Sequence, residues 1–206
     1  MTKREINNIN SIDVDLSEAT PMLRQYLDIK RKYQGIILMY RMGDFYEAFF
    51  EDALEISKAL EITLTARDGG SLGKIPMAGI PAKALDNYLP RLLDKNYKVA
   101  ICDQMEDPAL AKGLVKREVT QVITAGTVNE LSLLKSDKNN WLAAIIQEND
   151  IFGMAYTDIT TGEFFVTKGF LTEILAELAR VKPSEILAPV KKQKVLPFQI
   201  VPDEKF

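Results

Sequence analysis

The sequence predicts an α/β fold in which a mixed-sheet domain takes up most of the chain and a second, incomplete domain follows it. Three observations lead there. Short apolar runs of strand length alternate with stretches of helical periodicity. Glycines and prolines mark the boundaries between them. A chain of 206 residues, 47% of them hydrophobic, can bury one good core and has length for a smaller one.

Residues 1–19 mix Asn, Ser and acids without periodicity and read as a flexible leader that orders only on contact with something else. Thr20-Pro21 supplies an N-cap and a first-turn proline, and Met22, Leu23, Tyr26, Leu27 and Ile29 recur at helical spacing, with a stop expected near Gly35. Residues 36–40, IILMY, form a continuous apolar run of buried-strand type. The chain turns at Gly43 and resumes extended through Phe45, Tyr46 and Glu47. Residues 48–60 place Phe49, Ala53, Ile56 and Leu60 on one helical stripe suited to packing on a sheet.

Residues 61–65 alternate like a strand, and the loop DGGSLGK follows. Residues 82–95 read as an amphipathic helix with Leu85, Tyr88, Leu89 and Leu92 inward, KVAIC as the next strand, and 117–124 as one more before Gly126. The domain boundary is placed at about residue 130, giving a first domain over 20–130 and a second over 131–206. In the second, WLAAIIQ, FGMAYTDI and EFFVT read as strands with a hairpin at Gly162, residues 171–181 as an amphipathic helix, and EILAP as the start of a parallel strand before a Lys-rich, Pro-punctuated tail.

Composition narrows the chemistry. With 26 Lys and Arg against 29 Asp and Glu, no global basic field points to a nucleic-acid partner. The absence of His and the single Cys, Cys102, remove His acid–base chemistry, Cys/His zinc sites and any intrachain disulfide, and imply a reducing, cytoplasmic home. The polar amino terminus lacks a signal-peptide core, and no later stretch has the length of a membrane span, so a soluble protein is expected.

Phe45 and Glu47 lie two residues apart in an extended segment, so a flat apolar wedge and an acid project from one face beside a glycine turn. By itself this pattern is the ordinary one for a packing residue and a solvated charge. A wedge of this kind can also enter the minor groove, unstack a base step and kink the duplex, which correctly paired DNA resists more than mispaired DNA does. A carboxylate near phosphates is repelled unless it accepts from a base N–H, or is protonated and donates to a purine nitrogen.

The segments TPMLRQYLDIK, YRMGDFYEAFFEDA, LTARDGG, IPMAGIP, LDNYL, VAICDQMEDP, AKGLVKREV and TAGT resemble, in order and spacing, the mismatch-binding domain of the MutS family of mismatch-repair proteins. The resemblance is dense over residues 20–128 and continues through WLAAI, FGMAYTDITTGEFF and PSEIL, which are similar to the start of that family's ribonuclease H-like connector domain. It implies recognition of mismatched or unpaired bases in double-stranded DNA, with Phe45 stacking on the mismatched base, Glu47 hydrogen-bonding the displaced base, and Met42, Asp44, Arg67 and Met77 lining the same DNA-facing surface. It implies further that ATPase, clamp and dimer contacts lie in domains not included here. This chain is therefore expected to be no enzyme and to need no cofactor, ATP and magnesium belonging to the ATPase domain. A MutL-like repair partner and a homodimer are implied for the full-length protein. Departures from the usual pattern are Asp103 in place of Glu, Leu114 in place of Pro, and Ala82-Lys83 in place of an aromatic-His pair.

Lys74, Lys83, Lys112, Lys116 and Arg117 are candidates for backbone neutralisation. Two other readings remain open: a protein-interaction module that relays DNA state, and a metal-dependent nuclease built on Asp158, which stands on a strand before a turn. The stretch GGSLGK superficially resembles a phosphate-binding loop. Asp68 stands five residues before Gly73 and Ile75 where Ser or Thr must meet magnesium, so a flexible turn is expected instead.

Overall fold

The computed structural model describes residues 10–128, 139–189 and 201–203. They form two compact units that divide between Ile123 and Thr124. The first is a six-stranded sheet of β1 (Ile37–Met42), β2 (Phe45–Phe49), β3 (Thr65–Asp68), β4 (Lys74–Pro81), β5 (Val99–Gln104) and β6 (Arg117–Ile123), with α1 (Pro21–Lys30), α2 (Phe50–Leu60) and α3 (Leu85–Leu93). The strand order is β3-β4-β2-β1-β5-β6. β1 and β5 run parallel, and the other neighbours are antiparallel, which makes the sheet mixed.

β1 and β5 read as unbroken apolar runs because both faces of the sheet centre are covered. On one face Leu23, Tyr26 and Leu27 of α1 pack with Leu38, Tyr40, Phe49, Ala100 and Cys102. Burial there pushes the Cys102 thiol up to about 12, so it serves as a small apolar group. α2 lies against β4, β2 and α3. Phe50, at φ 55, sits in the left-handed region and turns the chain from strand to helix with no intervening loop. Lys30 and Asp52 form an ion pair of 2.7 Å with both side chains 6% exposed.

The second unit is a five-stranded sheet of β7 (Trp141–Glu148), β8 (Ile151–Asp158), β9 (Glu163–Gly169), β10 (Glu185–Pro189) and β11 (Val201–Asp203), in the order β11-β10-β7-β8-β9, with α4 (Leu171–Val181). β10 is parallel to β7, as EILAP predicts. Ile174 and Leu178 of α4 pack on Ala143, Ile145, Phe152, Met154 and Tyr156. Residues 124–128 pack within this unit, where the Gly126 N–H and the Thr124 hydroxyl donate to Glu185.

Several expectations need correction. Residues 10–19 of the leader are packed, not frayed. Ser11, Val14 and Ala19 are buried, the Ser11 N–H donates to Glu51 at 2.9 Å, and Arg31 holds the Val14 carbonyl at 2.7 Å. α1 ends at Lys30, where Lys30 Nζ turns back to the Ile36 carbonyl. Glu61 closes α2 in the left-handed region, so the strand expected at 61–65 begins only at Thr65. β4 carries no strand signal in the sequence, because Pro76, Gly79 and Pro81 break its pattern. The helix expected over 82–95 divides into a short 3-10 turn at Ala82–Ala84 and α3. The Lys-rich tail, residues 1–9 and residues 129–138 lie outside the described residues.

Candidate nucleic-acid interface

The β1–β2 hairpin places the wedge. Its two-residue turn is Gly43-Asp44, with Gly43 at φ 56, a conformation that glycine adopts without the penalty a side chain imposes. The Arg41 Nε donates to the Gly43 carbonyl at 2.5 Å, and the Ala82 N–H donates to the Asp44 carbonyl at 2.8 Å, so the turn is held from both sides. Cross-strand register sets Met42 and Pro81 on either side of Phe45. Phe45 is 46% exposed, whereas Tyr46 is 6% exposed and Ala48 and Phe49 are fully buried.

The two-residue period puts Phe45, Glu47 and Phe49 on one face. This is the face α1 covers farther along, through Tyr26 and Phe49, and leaves open at the Phe45 end. Glu47 lies opposite Tyr40 on one side and Gly79 on the other. A Cβ at Gly79 would lie 3.2 Å from the Glu47 Cγ and 3.0 Å from the Tyr46 carbonyl oxygen, so the missing side chain gives Glu47 its room. Arg67 NH1 donates to Glu47 Oε2 at 3.1 Å, and its guanidinium carbon lies 5.8 Å from the centre of the Phe49 ring. Burial raises the Glu47 carboxyl above the ordinary Glu value, and Arg67 only partly draws it back.

Met42 and Met77 are half-buried and pack against the core cluster, with Met77 opposite Phe49. Asp44 is exposed at the turn. Phe45, Glu47, Met42, Arg67 and Met77 thus lie on one face, with Asp44 at its rim.

Of the cations expected at the surface, Lys74, Lys83 and Lys112 are exposed, and Lys116 pairs with Glu118 at 2.6 Å. Arg117 is a correction. It is 7% exposed, lies over the Tyr40 ring at 4.9 Å, and donates to the carbonyls of Arg41 at 2.7 Å and Val115 at 2.9 Å, so it braces the wedge hairpin from within. Alternation along β6 is the sequence signal for it, since Arg117 and Val119 share the inward side. Gly79 is a second functional position absent from the sequence-based expectations, and the signal for it is that a lone glycine inside a strand marks a close approach.

The GGSLGK stretch is a closed turn in which the Gly69 N–H donates to the Gly73 carbonyl at 2.7 Å, and that backbone is not splayed around an anion. Asp158 is buried, and its carboxylate accepts from the Asn140 N–H at 2.9 Å and from the Thr160 N–H at 2.9 Å and hydroxyl at 2.6 Å. Burial raises its carboxyl, and these bonds outweigh that and lower it overall. Such an acid caps a hairpin. Among the described residues no group of three or more Cys, Asp or Glu is placed to hold a metal ion.

Comparison with known families bears on this surface. Residues 20–132 match the model of MutS domain I and residues 140–201 that of MutS domain II. The chain belongs to the MutS family. It is 52% identical over 176 residues to the DNA mismatch repair protein MutS of Syntrophomonas wolfei, a match covering 84% of this chain and 20% of that protein. Against MutS of Acaryochloris marina it is 54% identical over 178 residues, covering 85% and 20%, and against MutS of Dehalococcoides mccartyi 46% over 185 residues, covering 90% and 22%. The chain spans about a fifth of the length of these MutS relatives. The Phe45–Glu47 hairpin lies inside the part matched by MutS domain I. No helix among the described residues is long and apolar enough to cross a membrane.

Proposed function

We propose that the first unit senses mismatched or unpaired bases in duplex DNA, with Phe45 as a minor-groove wedge and Glu47 as the partner of the displaced base. The observation that carries this reading is the exposure of Phe45, 46%, at the end of a strand whose other aromatics are buried. An aromatic left in water at a braced hairpin tip, beside a half-buried acid, has the shape and chemistry to unstack a weakened base step. Selectivity then comes from duplex deformability, a mispaired step opening for roughly 1–3 kcal/mol less than a paired one. Met42, Asp44, Met77 and Arg67 frame the entry. On this reading the chain itself uses no cofactor and performs no catalysis, while ATP, magnesium and homodimer formation belong to regions of the longer MutS proteins that it does not span.

Titration of matched and G·T duplexes at low salt tests the proposal. The unaltered chain is expected to prefer the G·T duplex, and Phe45→Ala to bring both to within about twofold, as loss of a stack worth about 1–3 kcal/mol requires. Undiminished preference in Phe45→Ala would overturn the assignment. Affinity should be weak, because a single small domain makes few backbone contacts.

A second role, contact with a MutL-like repair partner, fits the second unit. Phe164 and Val166 on its edge strand β9 are 64% and 70% exposed. Val166→Lys should then leave duplex binding intact and weaken association with such a partner in a pull-down by the full-length protein.

A further inference from the structure

The contact between Arg67 and Glu47 joins two residues that the proposed function uses separately. Arg67 stands opposite Ile75 in the register of β3 and β4, while Glu47 stands opposite Gly79. The guanidinium therefore reaches along the face past Met77, lies over Phe49, and meets the carboxylate across a strand position that has no side chain. One bond of 3.1 Å is recorded, with the side chains 34% and 18% exposed. This guanidinium holds one oxygen of the acid and offsets its charge, and it is itself the right chemistry for a phosphate.

We propose that Arg67 is a displaceable latch on Glu47: in the free protein it favours the charged acid and holds one carboxylate oxygen, and its departure to a DNA phosphate lets Glu47 take up one proton as it engages a purine nitrogen of a displaced base. The inference rests on the mismatch-sensing reading and adds to it a residue that sets the condition for sensing. When the guanidinium leaves, a carboxylate remains in a half-buried site facing a polyanion. It takes a proton from water and then donates that O–H to a purine nitrogen. The groups around Glu47 leave Arg67 in control. Tyr40 of β1 is engaged with Gln25 and lies under Arg117, Gly79 of β4 has no side chain, and Arg67 of β3 is the charged group acting on the acid.

The test combines two measurements on the whole chain. Carboxyl-carbon nuclear magnetic resonance follows the titration of Glu47 without DNA. Arg67→Ala is expected to move it to higher pH, and Arg67→Lys to move it less. A duplex with an unpaired adenine, whose ring nitrogens only accept, titrated from pH 5 to 8 at constant low ionic strength is expected to lose affinity with rising pH, by up to tenfold per unit where one proton is taken up. The onset of that loss should lie higher in Arg67→Ala, and Glu47→Gln should abolish the dependence. A pair this exposed sets the scale at roughly two- to fivefold in affinity.

Superimposable pH profiles for Arg67→Ala and the unaltered chain, with only the salt slope of binding reduced, would make Arg67 a plain phosphate contact and overturn the latch. An unmoved Glu47 titration in free Arg67→Ala would overturn it as well. Failure of the underlying reading looks different, since Phe45→Ala would then keep full preference for the G·T duplex.

Discussion

Two ion pairs in the first unit join the same kinds of charge and are built for opposite ends. Lys30 and Asp52 meet at 2.7 Å with 6% of each side chain exposed. Both are tied further: Lys30 Nζ donates to the Ile36 carbonyl at 2.7 Å, and Asp52 accepts from the Leu38 N–H at 2.9 Å and the Tyr26 hydroxyl at 3.4 Å. Arg67 and Glu47 have one contact of 3.1 Å at a surface three to six times more open. Cross-bracing and exclusion of water make the first pair part of the framework, joining the end of α1 to the start of α2 and β1. The second has one contact and lies more open to solvent, the condition that the proposed exchange requires. The difference lies in surroundings more than in distance.

Removing one member of the buried pair separates the two pairs most strongly. Asp52→Ala leaves the Lys30 ammonium and the Leu38 N–H without their partner, and about 3–5 kcal/mol of stability should go with it. Urea unfolding of the first unit followed by far-UV circular dichroism reads this, while Trp141, the one tryptophan, reports separately on the second unit. A change below about 1 kcal/mol would mean that the pair is no framework element.

Next in size is Gly79→Ala. Its Cβ would press on the Glu47 Cγ at 3.2 Å and the Tyr46 carbonyl oxygen at 3.0 Å, both closer than ordinary contact. About 1 kcal/mol should be lost to local adjustment. The larger consequence is expected at the exchangeable pair, with Glu47 displaced from Arg67 and preference for mismatched duplex reduced. Retained stability and retained preference together would show that the space beside Glu47 is not needed.

What could be read from the sequence follows from how locally each feature is determined. The buried strand at IILMY announces itself because both sheet faces are covered, and the α2 stripe of Ala53, Ile56 and Leu60 because one face of that helix is. β4 could not be read. Pro76, Gly79 and Pro81 argue against a strand, and only pairing with β2 on one side and β3 on the other overrides them. The wedge and its acid were legible as neighbours two residues apart. Their setting was not, because the Arg67–Glu47 contact spans 20 residues and depends on β4 lying between β3 and β2. Arg117 resembles its exposed neighbour Lys116 in every local respect, and only the inward register of β6 separates them. The packed residues 10–19 carry no periodicity and are held by side chains from elsewhere, Glu51 on Ser11, Arg24 on the Leu16 and Ala19 carbonyls and Arg31 on the Val14 carbonyl, which no local rule anticipates.

The smallest effect is the most specific to the exposed pair. Burial raises the folded-state carboxyl of Glu47 above the ordinary value of 4.5, and the Arg67 guanidinium opposes this only in part. A carboxyl raised by folding favours the folded state while it is protonated, so its contribution is fully present below about 4.5 and is lost as pH rises through the folded-state value. Glu47→Gln cannot ionise and should keep that contribution throughout. Its stability relative to the unaltered chain should therefore rise as pH increases across this window and level off above it. The gain should stay below about 1 kcal/mol, because Arg67 compensates part of the charge and loses its partner in the variant. Denaturant midpoints at closely spaced pH values would show the divergence. Parallel curves would mean that the free carboxylate is already at ease in its site, and Glu47 would then resemble an ordinary solvated surface acid more than a group held ready for exchange.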